Sequence, residues 1–387
     1  MNSVYFDHAS TTPVAEKVLE EILPFYKEHF GNANSAHQHG RATKVAIEDA
    51  RELVAKLIGA EPSEIIFTSG GTESDNAAIK GVVNATRKTE IITSPIEHHA
   101  VIHPAESLKM KGCTVTYLQP DSTGQITPTQ VDEAISEDTA IVSLMHVNNE
   151  IGTILPVEEI AAICRKRKVP FHSDTVQSVG KVDVNVKDLG MDLLSISGHK
   201  IYGPKGIGVL YVKNGTPWLP WLQGGSQERR RRGGTSNVAG IVGLAKALEL
   251  CIEQINDYTT HFNELRHELI SGLNNRFTGR FKINGPADDT GVPHIINLAF
   301  PVPGDQSLDG EMLLLNLDIE GICVSNGSAC TSGAVEPSHV LKGIGLPDKL
   351  ANSSIRISFG KDNTVEQVHH FLEKLESVLN RMTKVAS

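Results

Sequence analysis

Cysteine is scarce in this chain, with five residues in 387, at positions 113, 164, 251, 323 and 330. No two form a C-x-x-C pair and the count is odd, so the spacing encodes neither a metal-thiolate cluster nor a disulfide framework. A reducing, cytoplasmic setting is expected, in which a free thiol remains available for chemistry. Aromatic residues are also few, at 5%. No apolar run reaches the length of a membrane span. The opening residues, MNSVYFDHASTTP, lack a basic stretch followed by an apolar one, so no secretory signal is expected. Positive charge is in deficit, and the formal net charge is -10. General nucleic-acid binders are usually basic, so direct nucleic-acid binding is not expected.

What remains is the composition of a globular protein, 40% hydrophobic and 21% charged. At this length a large and a smaller domain are expected. Helical periodicity marks 14–30, 41–58 and 73–83. Short β-rich runs occupy 64–68, 90–93, 114–118, 140–146, 192–197 and 208–212. This alternation predicts an α/β fold with a mostly parallel sheet covered by helices, which binds ligands at the carboxyl ends of its strands. After about residue 250 the pattern changes. A long polar helix over 252–275, strands at 293–299, 322–325 and 354–359, and helices at 306–315 and 365–379 predict a smaller α+β domain. The expected division is 13–250 for the large domain, and 1–12 plus 251–387 for the small one. The stretch 223–234, rich in Gly and Arg, reads as a loop.

Four segments carry candidate chemistry. Ser69-Gly70-Gly71-Thr72-Glu73 joins a strand to a helix. It suits an anion held at a helix N-terminus, and equally a tight turn. Asp174 follows the run 169–171 and is either a helix cap or a carboxylate that pairs with a protonated ring nitrogen. Lys200, in Ser197-Gly198-His199-Lys200, follows an apolar run and a glycine, which places its ammonium at the ligand edge of the sheet. Desolvation there would lower its pKa toward a usable amine, with Ser197 and His199 beside it to hold a phosphate. His98 or its neighbour His99 offers a ring to cover a cofactor face, or is an ordinary surface histidine.

Taken together these segments resemble the cysteine desulfurases, within the aminotransferase-like, fold-type I enzymes that use pyridoxal 5'-phosphate (PLP). The matching stretches are YFDHASTTP at 5–13, GNANS at 31–35, FTSGGTESDN at 67–76, HVNNEIG at 146–152, DTVQSVG at 174–180, SGHKIYGPKGIG at 197–208 and VSNGSACTS at 324–332. The resemblance implies that Lys200 carries the cofactor, Asp174 pairs with its ring nitrogen, Gln177 bonds its ring hydroxyl and His98 stacks on the ring. Gly71, Thr72, Ser197 and His199 would hold the phosphate, with Asn149 against the cofactor. Thr235 would reach the phosphate of a neighbouring subunit, which implies a homodimer. Arg356, with Asn34 as a second candidate, would grip the substrate carboxylate; a guanidinium suits that bidentate task. Thr175 and Ser236 stand where the family usually has Ala and Glu, which puts fine substrate positioning in doubt.

Cys330 lies in a loop of small residues, Ser325-Asn326-Gly327-Ser328-Ala329-Cys330-Thr331-Ser332-Gly333. Cys113, Cys164, Cys251 and Cys323 read as structural. The resemblance identifies Cys330 as the residue that takes sulfur from L-cysteine as a persulfide, leaving L-alanine. The sulfur would pass to an acceptor such as an iron–sulfur scaffold or a tRNA-thiolation protein. No resident metal is expected, although Cys330 could transiently ligate an iron–sulfur cluster. The alternatives are another PLP enzyme of the same fold, an aminotransferase or a lyase acting on selenocysteine or cysteine sulfinate, and a non-catalytic sulfur carrier. Arg229–Arg232 could be an RNA patch, but reads better as part of a subunit interface.

Overall fold

The structure, a computed structural model, describes residues 3–301, 308–327 and 337–385. Its strands, in chain order, are β1 (Val4–Tyr5), β2 (Ile65–Thr68), β3 (Glu90–Thr93), β4 (Thr114–Tyr117), β5 (Thr139–Ser143), β6 (Phe171–Asp174), β7 (Leu193–Ser197), β8 (Gly208–Val212), β9 (Lys282–Asn284), β10 (Ile295–Ala299), β11 (Ile322–Cys323) and β12 (Ser354–Ser358). A seven-stranded sheet has the order β2-β8-β7-β6-β5-β3-β4. β8 runs antiparallel to both neighbours, and the other pairings are parallel. Both faces are covered, as a parallel sheet requires. One face packs with helices 16–27, 38–57 and 238–253, and the other with helices 71–86 and 99–109.

The second sheet, β12-β10-β9, is antiparallel. Its core gathers Phe6, Leu269, Phe277, Leu298, Leu313, Phe359 and Phe371 beneath helices 255–276, 310–319 and 365–385. The amino-terminal residues belong to this side. β1 pairs in parallel with β11, and Asp7 bridges Ser358.

Two expectations change. The polar helix expected over 252–275 is the second of two, 238–253 and 255–276, separated at Gln254, which leaves helical geometry with φ -107° and ψ 11°. The first is so apolar, with ten buried residues from Ala239 to Cys251, that it shows no polar stripe to mark it. The stretch expected as a loop at 223–234 contains one turn, Gln227–Arg230, in which Glu228, Arg229 and Arg230 all have positive φ. Arg51 holds that turn by a bidentate pair with Glu228, at 2.8 and 2.9 Å.

Candidate active site

A cleft of about 860 Å³ opens where β2, β6 and β7 reach their carboxyl ends. Each strand delivers one part of the constellation. β2 ends in Thr68, and the chain turns through Gly70 into helix 71–86. Gly70 has φ 150° and ψ -178°, a region open essentially to glycine alone. No side chain caps this helix, so its N-terminus faces the cleft beside Gly71 and Thr72. A helix N-terminus of this kind favours an anion.

β6 ends on Asp174, buried in the cleft floor. Its Oδ1 accepts the Val176 N–H at 2.9 Å. Burial, and then the nearby Asp75 carboxylate, push its pKa up to about 7. The charges of His172 and Lys200 oppose that rise, and a further cation beside the carboxylate would favour its charged form. β7 ends on Ser197, and one tight turn places Lys200 over the floor. Lys200 Nζ donates to the carbonyls of Ala9 and Ser10, at 2.6 and 2.7 Å. Burial pushes its pKa down to about 7, helped by the charges of Arg356 and Lys181 and opposed by Asp7 and Asp174. A substantial share of the amine is therefore neutral and nucleophilic near pH 7.

His98 caps helix 99–109, its Nδ1 accepting the Ala100 N–H at 3.1 Å. That bond leaves Nε2 to carry the proton of the neutral ring. Burial and then the Lys200 charge lower its pKa to about 4. His99 also borders the cleft, but its ring packs against His103 and His339. His199 Nδ1 meets Thr11 Oγ1 at 3.1 Å. Gln177 lies in the floor, where its amide is already held: Nε2 donates to Ala9 O at 2.8 Å, and Oε1 accepts from Lys181 Nζ at 2.9 Å.

The small sheet contributes Arg356, from β12. Its Nη1 donates to Asn149 O at 2.8 Å, and its Nη2 to Asp7 Oδ1 and Ser10 Oγ at 2.9 and 2.7 Å. Arg356 Nε and Asn149 Oδ1 are buried without a hydrogen-bond partner. A buried polar atom left in this way is costly, so a cleft whose lining residues hold such atoms is shaped for a polar occupant. The uncapped helix end, the near-neutral lysine, the buried carboxylate and these two atoms together fit a phosphorylated pyridine aldehyde.

Lys200, Asp174, Gln177, His98, Gly71, Thr72, Asn149, Ser197, His199 and Arg356 thus share one cleft. Asn34 and Thr235 do not; both are exposed, and neither borders it. Cys330 lies outside the described residues. Three of the four arginines at 229–232 are held within the chain: Arg229 by Glu48, Arg231 over the Trp218 ring, and Arg232 by Glu73. Among the described residues no group of three or more His, Cys, Asp or Glu is placed to hold a metal ion. Among them also, no helix is long and apolar enough to cross a membrane.

The structure adds residues that the motifs did not single out. Asp75 borders the cleft, fully buried, with its pKa pushed up to about 7 by burial. It lies 3.5 Å from His172 Nε2, and the His172 ring also bridges Ser143 and Ser195. Glu97, next to His98, is buried and raised to about 8, with Oε1 accepting from Met145 N and Ser94 Oγ. The available signal was an acidic residue inside each of two cofactor motifs.

Fold and site together define a class-V aminotransferase. The model of that family matches residues 4–371, and the chain belongs to it, in the branch of the cysteine desulfurases. It is 47% identical over 385 residues to the cysteine desulfurase IscS of Dictyoglomus turgidum, covering 99% of this chain and 96% of that one. Among solved structures it resembles a NifS-like protein, with a TM-score of 0.90 and 41% identity over 98% of this chain and 100% of the other. It also resembles SspA in complex with cysteine, with a TM-score of 0.78 and 37% identity over 92% and 99%.

Proposed function

We propose that this enzyme takes sulfur from L-cysteine onto Cys330, leaves L-alanine, and passes the persulfide to an acceptor for iron–sulfur assembly or for thiolation of tRNA or cofactors. The observation that carries the reading is the meeting of Lys200, Asp174 and Arg356 in one cleft, in a chain nearly half identical to relatives named cysteine desulfurase. PLP is the cofactor this cleft fits. It would be held by Lys200, Asp174, Gln177, His98, Asn149 and the phosphate group of residues Gly71, Thr72, Ser197 and His199. When bound, PLP supplies an electron sink joined to the substrate Cα.

The protein's own groups then divide the work. Arg356 binds the substrate carboxylate through its free Nε edge, with Asp7 and Ser10 holding the guanidinium in place. Lys200 Nζ, near neutral in pKa, takes the Cα proton and returns one to the carbon skeleton. Asp174 keeps the ring nitrogen protonated. His98 would cover the ring, and its Nε2 holds a proton on the cleft side of that cap. The Cys330 thiolate attacks the substrate sulfur; the Cβ–S bond breaks and an S–S bond forms. The two thiol hydrogens end on the persulfide and on the alanine methyl group. Asn34 remains a weaker candidate for substrate contact.

Thr235, exposed and away from its own chain's cleft, suits a contact with the partner subunit's phosphate in a homodimer. The separate cores of the two sheets support a large domain over 13–250 and a small one over 1–12 plus 251–387. A soluble, cytoplasmic enzyme agrees with this chemistry, which needs a reduced thiol.

The test is product analysis with purified enzyme and L-cysteine. Alanine and protein-bound persulfide are expected in equal amounts. Cys330→Ser should retain the cofactor's absorbance and lose persulfide formation. Lys200→Ala should lose both the lysine-linked band and turnover. A keto acid product would favour an aminotransferase. Undiminished sulfide release by Cys330→Ser would favour a lyase. No turnover together with an intact persulfide-accepting Cys330 would favour a sulfur carrier.

A further inference from the structure

We propose that Lys181 is a positioning residue of the active site, which pins the Gln177 amide from outside the cleft so that the amide's N–H end faces the cleft. The inference rests on the reading that Lys200 carries the cofactor.

Gln177 borders the cleft. Lys181 does not, and lines a second cavity of about 610 Å³ with Arg266 and His267. Lys181 Nζ meets Gln177 Oε1 at 2.9 Å. Gln177 Nε2 donates to Ala9 O at 2.8 Å, and Lys200 Nζ donates to the same oxygen at 2.6 Å. One carbonyl is therefore shared by the floor amide and by the amine that does the chemistry.

The two ends of an amide are often hard to tell apart, but here the partners decide. An ammonium has only hydrogens to offer, so the atom facing Lys181 must be oxygen. A peptide carbonyl only accepts, so the atom facing Ala9 must be nitrogen. A flipped amide would set N–H groups against an ammonium and oxygen against oxygen. Nε2 carries two hydrogens, and Ala9 uses one. The second is left for an acceptor in the cleft, such as a ring oxygen that bears negative charge.

Lys181 also acts through space. Its charge helps to lower the pKa of Lys200 and of His199, and it bears on His8 and His294. The groups that bear on Lys181 itself are Cys251 and Arg356, and burial brings its pKa down to about 8. The ammonium thus remains mostly charged at neutral pH. Around Lys200 the other charged groups are Arg356, Asp7 and Asp174.

A purely local role is the competing account, because Lys181 and Gln177 are four residues apart and their bond could simply stiffen the turn that follows β6. Absorbance titration of the PLP-loaded enzyme separates the two. In Lys181→Met the pH midpoint of the lysine-linked cofactor band should rise by about 0.5–1 unit, because a neighbouring cation is gone. In the same variant kcat should fall roughly tenfold, with KM for L-cysteine changed less than about threefold. Lys181→Arg should restore the midpoint. Lys181→Met combined with Gln177→Ala should be less than about threefold slower than Gln177→Ala alone, because the larger part of the Lys181 effect passes through that amide and only its through-space charge effect on Lys200 is left to lose. Lys181→Gln, neutral but still polar, carries the same test if Lys181→Met does not fold. An unmoved midpoint in the neutral variants, or defects that multiply in the double variant, would overturn the proposal. Lack of a lysine-linked band in the native enzyme would overturn the Lys200 reading itself.

Discussion

The two sheets bury different things. Around the seven-stranded sheet the interior holds Asp75, Glu97, His172 and Asp174, all ionisable and at most 6% exposed. The core of the three-stranded sheet is hydrocarbon: Phe6 meets Phe359 and Phe371 edge to face, at 5.2 and 6.0 Å, with leucines on every side. Its gift to the site is Arg356, set on a strand of that firm core. Apolar burial supplies most of a domain's stability, whereas buried ionisable groups strain it and gain shifted pKa values in return. The large sheet therefore carries the chemistry, and the small sheet holds one gripping residue at a fixed distance from it.

The comparison can be broken most forcefully in the small core. Phe371 is fully buried on the helix 365–385, so Phe371→Ala should cost about 3–5 kcal/mol there. Both tryptophans, Trp218 and Trp221, lie in the chain segment of the large sheet, and Trp218 donates to Ala77 O at 2.8 Å. Their fluorescence reports that unit, whereas circular dichroism reports both. In a urea titration of Phe371→Ala the dichroism midpoint should fall further than the fluorescence midpoint. Equal shifts would mean that the two cores unfold as one block.

In the large core the reverse trade is expected. Asp174→Asn removes a carboxylate whose charged form burial and the Asp75 carboxylate disfavour, and it also removes the partner proposed for the ring nitrogen. Turnover should fall at least about a hundredfold, while the unfolding midpoint of the cofactor-free protein rises or stays level. A variant that loses stability along with activity would show that Asp174 supports the fold through its bond to Val176.

The same division explains what could be read from the chain. Lys200 and Asp174 are legible because each follows an apolar run in a short local motif, 192–196 for Lys200 and 169–171 for Asp174. The amphipathic helices and edge runs are legible for the same local reason. β6 is not, because Phe171-His172-Ser173-Asp174 looks polar while lying at the centre of the sheet, and the His172 ring is satisfied by Ser143 and Ser195 from flanking strands. Asp75, Glu97 and Lys181 escape notice because what matters about them is burial, which distant segments create. Asp7 is another such case, since it meets Arg356 across 349 positions of chain. Cys330 is legible through its family match, and it lies outside the described residues.

The smallest expected effect is a change of slope with pH. His98, His146, His172 and His199 are all held near pKa 4, chiefly by burial. A histidine near 6.5 when unfolded binds its proton first in the unfolded chain, so these four remove stability as pH falls from about 6.5 to about 4. Asp75 and Asp174 work the other way. Their folded pKa values, near 7, lie above the unfolded value near 4, so the folded chain holds the protons and loses stability as pH rises through that window. The two sets oppose each other between about pH 4 and 6.5, which flattens the native profile. Asp75→Asn removes part of the opposition. Urea midpoints of the cofactor-free protein at pH 4.5, 5.5 and 6.5 should rise more steeply for Asp75→Asn than for the native chain, with the largest gain at the highest pH. A uniform loss at all three values would mean that Asp75 serves the His172 and Ser195 network as a bonding partner, and that its titration contributes nothing to the contrast between the two cores.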